Sequence, residues 1–150
     1  MLSINIVPKK SDKYIDSAWN IKRKVYENTG LLKQEWPSFE QIYYQNKVYV
    51  INSDEHGLIG YACIDEDNYL SLLVIKPEHQ RTGLGRKLIE EIKTELNYIY
   101  CHSRISNSKA CKFYTNMDFE VRDIEDEYYL NGEDAYIFEY DNKDVKIDYL

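Results

Sequence analysis

A glycine-rich turn between an apolar run and an amphipathic helix constrains this chain most. The turn reads Gln80-Arg81-Thr82-Gly83-Leu84-Gly85-Arg86 and follows a β-like stretch. The first N–H groups of a helix lack intrahelical acceptors and lie at the positive end of the helix dipole. Because Gly83 and Gly85 have no Cβ, the backbone can approach a pyrophosphate closely. The pattern predicts a phosphate-binding turn, in which Arg81 and Arg86 can pair with phosphate oxygens.

Two better-known phosphate loops do not fit this spacing. A nucleotide P-loop needs Gly-x-x-x-x-Gly-Lys followed by Ser or Thr, and the sequence has no such run. A dinucleotide-binding fingerprint needs a third glycine three residues after the second, where this chain has Leu88. At this point an ordinary strand-loop-helix connection with two incidental glycines is the alternative.

Two segments resemble motifs of the GNAT family of N-acetyltransferases. Gln80 to Gly85 is similar to the family's acetyl-coenzyme A motif, Gln/Arg-x-x-Gly-x-Gly/Ala, and Val74 to Pro77 is similar to the strand and turn before it. Asn107 to Phe119 resembles the segment Asn-x-x-Ala-x-x-Phe-Tyr-x-x-x-Gly-Phe. Asp118 stands where the family usually has glycine, so we expect a left-handed residue there at a modest energetic cost.

Hydrophobic periodicity predicts the element order β-α-α-β-β-β-α-β-α-β-β, which is that of the GNAT fold. The resemblance implies an α/β (α+β) single-domain GNAT fold over residues 1–150. Its central sheet would be mixed, mostly antiparallel and of about seven strands, flanked by about four helices. Ser11 or Asp12 is the expected N-cap of the first helix. The nearly all-apolar run Tyr69 to Lys76 is typical of a strand at a sheet centre.

The resemblance also assigns residues to acetyl-CoA, the expected cosubstrate. In the GNAT fold the fourth and fifth strands splay apart at one end and admit the pantetheine arm. By resemblance, the backbone of Leu73, Val74 and Ile75 would bind that arm. The other residues assigned to the coenzyme are Gln80, Arg81, Thr82, Gly83, Leu84, Gly85, Arg86, Asn107, Ala110 and Tyr114. Asn107 equally fits a helix N-cap, which alone explains its type.

Acetyl transfer to an amine needs a neutral amine, a stabilised carbonyl oxygen and a proton for the leaving thiolate. Tyr114 is the candidate general acid, because family members with this Phe-Tyr pair place the tyrosine hydroxyl at the coenzyme sulfur. Packing in the core is the alternative for this ring.

His102 is the candidate general base. Enzymes resembling the ribosomal-protein N-terminal acetyltransferases carry a glutamate here, and a histidine is mostly neutral at pH 7 and can accept a proton. A half-buried strand histidine satisfied by a neighbour is the alternative. Cys101 is a poor partner for His102, because adjacent strand residues point to opposite faces.

The C-terminal third carries a resemblance that concerns the acceptor. Tyr128-Tyr129 and Glu133-Asp134-Ala135 are similar to the Tyr-Tyr…Glu-Asp-Ala pattern of the N-terminal acetyltransferase branch, in which the tyrosines contact the first residues of a peptide. This favours a peptide or protein α-amine as acceptor, whereas histidine at position 102 does not. A small amine such as a polyamine, amino acid or aminoglycoside is the alternative acceptor. A non-catalytic coenzyme A-binding module is the alternative class.

Charge and composition limit the other partners. A net charge of -7 argues against nucleic-acid binding. Residues 118–150 hold 12 acidic and 3 basic residues, which either attract a cationic acceptor or form a solvated surface.

The cysteines and histidines show no paired or ligand spacing, so we expect neither a disulfide framework nor a metal. No apolar run nears the roughly 20 residues of a membrane helix. With no secretory pattern either, the cytoplasm is the expected location, with a monomer or homodimer as the expected state.

Overall fold

The computed structural model describes residues 1–143. Within that range the chain forms seven strands, four α-helices and a 3₁₀ turn at Pro77–His79, in the predicted order, which confirms the fold class. The strands are β1 (Leu2–Val7), β2 (Lys47–Ser53), β3 (Gly57–Ile64), β4 (Leu70–Ile75), β5 (Tyr98–Arg104), β6 (Glu120–Glu125) and β7 (Ala135–Asp141). The helices are α1 (Ile15–Thr29), α2 (Trp36–Gln45), α3 (Leu84–Glu95) and α4 (Ser108–Asn116).

The chain divides into two compact units, Met1–Ile92 and Lys93–Leu150, with the boundary inside α3. Strands β1, β2, β3 and β4 form one sheet in that order, and β5, β7 and β6 form the other. All pairings among the described strands are antiparallel. The sequence predicted one mixed sheet. The seven described strands instead form two hydrogen-bonded ladders.

The core of the first unit is rich in aromatic rings. Phe39 and Tyr43 from α2 and Tyr61 from β3 are fully buried. The ring of Phe39 lies 5.2 Å from that of Trp19 on α1, and the Tyr61 hydroxyl donates a hydrogen bond to the carbonyl of Ala18 at 3.0 Å. These contacts fix β3 against α1, and β3 in turn carries β4.

Strand β4 is the terminal strand of the first sheet and pairs there with β3 alone. Its alternate residues Leu70, Leu72 and Val74 are buried, and the intervening ones are half-buried. The sequence predicted a sheet centre, since apolar residues occupy both faces. Covered faces do not require two paired edges, so the backbone groups on one edge of β4 have no strand partner within this unit.

The second unit contains one sheet and α4. Side chains of β5 alternate between buried and half-buried, so Cys101 and His102 lie on opposite faces as predicted. Helix α4 ends with Asp118 at a φ of 69°, which confirms the expected left-handed residue. The N–H of Phe119 donates to the carbonyl of Tyr114 at 3.0 Å, and that of Asp118 to Thr115 at 3.2 Å. This is the Schellman pattern that glycine usually supplies.

The start of helix α1 differs from the prediction. Helix α1 begins at Ile15, after Tyr14 in a left-handed conformation, and neither Ser11 nor Asp12 caps it as the sequence predicted. The backbone N–H of Ile15 bonds to the carbonyl of Asp12 at 3.0 Å, so a backbone turn replaces the side-chain cap.

No helix in the described part of the chain combines the length and apolar character that a bilayer span needs.

Candidate active site

The phosphate turn, residues 80–86, starts from a backbone anchored to the first sheet. The N–H of Lys76 donates to the carbonyl of Ile59 at 2.8 Å, and the 3₁₀ turn follows. Arg81 then has a φ of 64° and Gly83 a φ of 83°. Two left-handed residues within three positions bend the chain sharply before α3 begins at Leu84. A Cβ on Gly83 would meet nothing within 4 Å, so the space beside this residue is open.

Two polar side chains of the turn bond to the turn itself. The Gln80 amide donates to the carbonyl of Ile75 at 3.0 Å, and the Thr82 hydroxyl donates to the carbonyl of His79 at 2.5 Å. In α3 the N–H of Lys87 bonds to the carbonyl of Gly83 at 3.1 Å, whereas the N–H groups at the helix start have no intrahelical acceptor. The turn therefore offers backbone donors, shaped by Gln80 and Thr82.

The remaining side chains of the turn differ in what they can contribute. Leu84 is buried in the first unit, so any contact it makes with a ligand is through its backbone. The Arg86 guanidinium bonds to Glu90 at 2.9 Å in an exposed pair. Such a pair contributes only about 0.3–0.5 kcal/mol, so phosphate can displace it. Arg81 is exposed and Gly85 half-buried.

The candidate pantetheine strand is held from one side. Leu73, Val74 and Ile75 lie opposite Ala62, Tyr61 and Gly60 of β3. A Cβ at Gly60 would lie 2.6 Å from Ile75 Cδ1 and 2.9 Å from the carbonyl oxygen of Val74. Only glycine permits this close approach of the two strands at the end of β4 that leads into the turn.

Asn107 and Ala110 belong to the start of α4 in the second unit. The Asn107 side-chain oxygen accepts a hydrogen bond from the N–H of Ala110 at 3.1 Å, so Asn107 is the helix N-cap. The structure therefore shows Asn107 in the role of helix N-cap, which was the alternative to a coenzyme contact. Ala110 is half-buried beside it.

Tyr114 is buried in the second unit, 9% exposed, with its ring 5.5 Å from that of Phe138 and 5.3 Å from that of Phe119. Burial raises the pKa of the Cys101 thiol to about 12, and a hydrogen bond with the Tyr114 hydroxyl partly opposes that rise. A thiol that stays protonated is no nucleophile at neutral pH. The Tyr114 ring therefore packs in the core, which was the alternative to a catalytic role, and its hydroxyl also makes a polar contact with Cys101.

His102 has a carboxylate on one side and an aromatic ring against its face. Its Nε2 lies 3.2 Å from Oε1 of Glu125, and its ring stacks on Tyr128 with centroids 4.0 Å apart and planes 6° from parallel. The His102 side chain is 13% exposed and that of Glu125 48%. These contacts fix the imidazole orientation while the carboxylate stays in contact with solvent.

Tyr129 belongs to a second cluster beside the first. The Arg104 guanidinium lies 3.9 Å from the Tyr129 ring centroid and bonds to Glu133 and Asn131, each at 3.1 Å. The other Glu133 oxygen accepts the N–H of Ser106 at 2.9 Å. Bonds from Ser106 and Arg104 hold the pKa of Glu133 below its usual value. This cluster fixes the loop of residues 126–134, hereafter the tyrosine loop.

Burial raises the pKa of Tyr129 to about 12, with the Arg104 charge opposing the rise. The Tyr129 ring also meets that of Tyr128 edge-on at 4.9 Å. Tyr129 therefore carries a neutral hydroxyl that can donate a hydrogen bond, and it supports the ring that covers His102.

The structure brings His102, Tyr128 and Tyr129 together, as the acceptor-binding hypothesis requires. The turn and β4 residues form their own group in the first unit. Sequence reasoning missed Glu125, Arg104 and Glu133. The local signal for Arg104 was its position two residues after His102, which places both on one face of β5. Glu125 gives no local signal, because its relation to His102 depends on strand register.

Comparison with known proteins identifies related sequences and folds. The sequence model of the family described as "Acetyltransferase (GNAT) domain" matches residues 23–136. The N-alpha-acetyltransferase daf-31 of Caenorhabditis elegans is 30% identical over 103 residues, which cover 59% of this chain and 57% of that protein. An uncharacterised N-acetyltransferase of Methanocaldococcus jannaschii is 26% identical over 142 residues, 87% of each chain.

A solved structure extends the likeness to the whole fold. The crystal structure of the ribosomal-protein-S18-alanine N-acetyltransferase from Escherichia coli matches with a TM-score of 0.77. The match covers 93% of both chains at 21% sequence identity, which supports the fold alone.

Proposed function

This chain belongs to the GNAT acetyltransferase family, and on that premise we propose that it transfers the acetyl group of acetyl-CoA to the α-amine of a peptide or protein. The observation that carries the acceptor class is the joint position of His102, Tyr128 and Tyr129 on the tyrosine loop and β5. The Tyr128 ring covers the imidazole and Tyr129 supports that ring, which gives the first residues of an extended peptide an aromatic surface beside the candidate base.

The phosphate turn fits the pyrophosphate of the coenzyme. The open space at Gly83 and the backbone donors at the start of α3 suit an anion. Exposed Arg81 and the displaceable Arg86 add positive charge. The unpaired backbone edge of Leu73, Val74 and Ile75 can bond to the pantetheine amides as an added strand would. When bound, acetyl-CoA supplies the activated thioester.

The chemistry then falls to two side chains. The acceptor nitrogen forms a bond to the acetyl carbon, and the bond from that carbon to sulfur breaks. His102 accepts the proton that the nitrogen loses, and the Tyr114 hydroxyl donates a proton to the leaving thiolate. An α-amine, with a pKa of about 7.7–8.0, already has a sizeable neutral fraction near pH 7, whereas a lysine amine at about 10.4 does not. A weak base such as histidine is therefore enough for an α-amine.

An acceptor panel tests the proposal. Peptides with a free N-terminus are compared with the same peptides blocked at the N-terminus but carrying a free lysine, and with polyamines and amino acids. Acetyl-CoA-dependent thiol release should occur with free N-termini and be lost on blocking. Release with polyamines alone would assign the small-amine function. No release, despite a thermal shift with coenzyme A, would identify a binding module.

The role of His102 has its own measurement. In His102→Ala the acid limb of the kcat/KM pH profile should disappear, because the group that must be neutral is gone. Retention of that limb would remove His102 from the mechanism while leaving the acceptor class intact.

A further inference from the structure

The proposed catalytic roles do not explain why the Glu125 carboxylate lies beside His102. We infer that Glu125 is a positioning residue, which orients the His102 imidazole and selects its tautomer. The inference rests on the proposed function in one respect only, namely that His102 is the base whose protonation matters. The contact itself is a property of the folded chain and can be measured without turnover.

The contact between His102 and Glu125 differs from an ordinary exposed ion pair. Exposed ion pairs are usually weak because both side chains must be ordered for one contact. Here the imidazole is already ordered, since Tyr128 covers its face at 4.0 Å and its side chain is 13% exposed. Only Glu125 must be fixed to complete the 3.2 Å contact with Nε2. A carboxylate that bonds to one ring nitrogen selects the tautomer, and the tautomer determines which ring nitrogen can accept a proton.

Strand register brings the two residues together. Arg104 of β5, Ala135 of β7 and Glu125 of β6 lie in one row across the sheet. Ile137 lies between His102 and Asp123 in the next row, so Glu125 reaches His102 diagonally over β7. The small, fully buried Ala135 leaves room for that reach.

The charged and titratable groups around His102 come from four segments. Tyr100 and Arg104 share its strand, and the Arg104 charge is paired with Glu133. Asp123 and Glu125 come from β6, Glu139 comes from β7, and Tyr128 comes from the tyrosine loop. Glu139 accepts a bond from the Tyr98 hydroxyl at 3.0 Å and lies 3.6 Å from Arg122, so its charge is engaged elsewhere.

The proton transfers follow the scheme of a Ser-His-Asp triad, with Glu125 in the place of the aspartate. His102 takes the proton lost by the acceptor nitrogen and becomes an imidazolium, while Glu125 stays ionised and offsets the new positive charge. Glu125 touches neither donor nor acceptor in this scheme. Replacing Glu125 should therefore alter how well His102 is oriented to accept a proton, without altering coenzyme binding.

The test measures His102 directly in three proteins by ring ¹⁵N chemical shifts across pH. They are the wild type, Glu125→Gln and the control Glu120→Gln, which removes another exposed carboxylate from the same strand. A carboxylate only accepts hydrogen bonds, so it selects the tautomer with the proton on Nε2, whereas the glutamine amide can accept or donate. In Glu125→Gln the ring ¹⁵N signals of neutral His102 should therefore shift toward a mixture of the two tautomers. Glu120→Gln should leave these signals as they are in the wild type.

Kinetics supply the second readout. The plateau of kcat/KM should fall about three- to tenfold in Glu125→Gln, because the imidazole is less often in the tautomer and orientation that accept the proton. KM for acetyl-CoA should not change. Equal NMR shifts in both variants, or none in Glu125→Gln, would overturn the inference. An NMR shift in Glu125→Gln with no matching kinetic change would keep the pair and reject His102 as the base.

Discussion

The phosphate turn of the first unit and the tyrosine loop of the second are built by different means. In the turn, the groups offered to a ligand are backbone N–H donors, and the side chains of Gln80 and Thr82 bond inward to hold the backbone. In the tyrosine loop, side chains both form the surface and hold it, as in the Arg104–Glu133 pair with its stacked tyrosine.

This difference determines which substitutions each of the two regions should tolerate. A backbone site depends on φ angles, so it accepts changes of side chain that keep the left-handed turns at Arg81 and Gly83. A side-chain site depends on hydrogen-bonding groups, so it is altered by changes as small as one oxygen atom.

The largest expected effect comes from removing one oxygen in the second unit. Tyr114→Phe should lower kcat about 100-fold or more, because the leaving thiolate loses its proton donor. Coenzyme affinity and melting temperature should change little, since the ring keeps its packing against Phe119 and Phe138. Steady-state kinetics and coenzyme titration measure both quantities.

The matched control is Tyr136→Phe, which removes a tyrosine hydroxyl from β7 of the same unit. This variant should keep nearly normal kcat. If both variants, or neither, lose activity, Tyr114 has no special chemical role.

Strain in the phosphate turn should have the next largest effect. Gly83→Ala has room for its Cβ but must hold a φ of 83°. That conformation costs an L-residue about 1–2 kcal/mol, and relaxation of the turn would displace the donors. We expect the Kd for coenzyme A to rise about tenfold with kcat at saturation little changed. Isothermal titration measures the affinity.

Gly30→Ala controls for strain alone. Gly30 has a φ of 73° and equally open space, but lies at the C-terminal end of α1. Both variants should lose similar stability, and only Gly83→Ala should bind coenzyme more weakly. Equal affinities in the two variants would show that the left-handed backbone at position 83 is not a binding determinant.

The contrast between the regions also explains what the sequence could predict. Backbone features have local signals. The cap at Asn107 followed from its residue type, whereas the left-handed conformation at Asp118 was expected from resemblance, because the family usually has glycine there. The exception is α1, where a backbone turn from Asp12 to Ile15 replaced the expected side-chain cap.

Side-chain clusters depend on non-local register, which the sequence does not display. Strand β7 lies between β5 and β6, although it comes last in the chain. A register shift between Val121 and Asp123 further sets which β6 residues reach His102. Glu125 and Glu133 were therefore unpredictable as partners, while Tyr128 and Tyr129 were found only through resemblance to a motif.

A third prediction asks whether a left-handed residue in the second unit matters beyond local stability. Asp118→Gly should raise the melting temperature by about 1–3 °C, because glycine adopts this φ without the steric cost of a Cβ. The loss of the 3.8 Å contact with Lys93 offsets little of that gain, because the Asp118 side chain is 85% exposed. Kinetic constants should not move, and Asp118→Asn separates the charge from the backbone effect. A lower melting temperature in both variants would make the ion pair the dominant contribution.

The smallest effect is expected from the tyrosine loop at low pH. The pKa of Glu133 is lowered in the fold by bonds from Ser106 and Arg104, so its ionised form favours the folded state. That contribution is complete above the unfolded pKa of about 4.3 and is lost as pH falls through this value and then through the folded one. Glu133→Gln should melt about 1–2 °C below wild type at pH 7, and the gap should close below about pH 4. A gap that stays constant with pH would mean that the loop depends on the shape of residue 133 and not on its charge, which would make it resemble the phosphate turn.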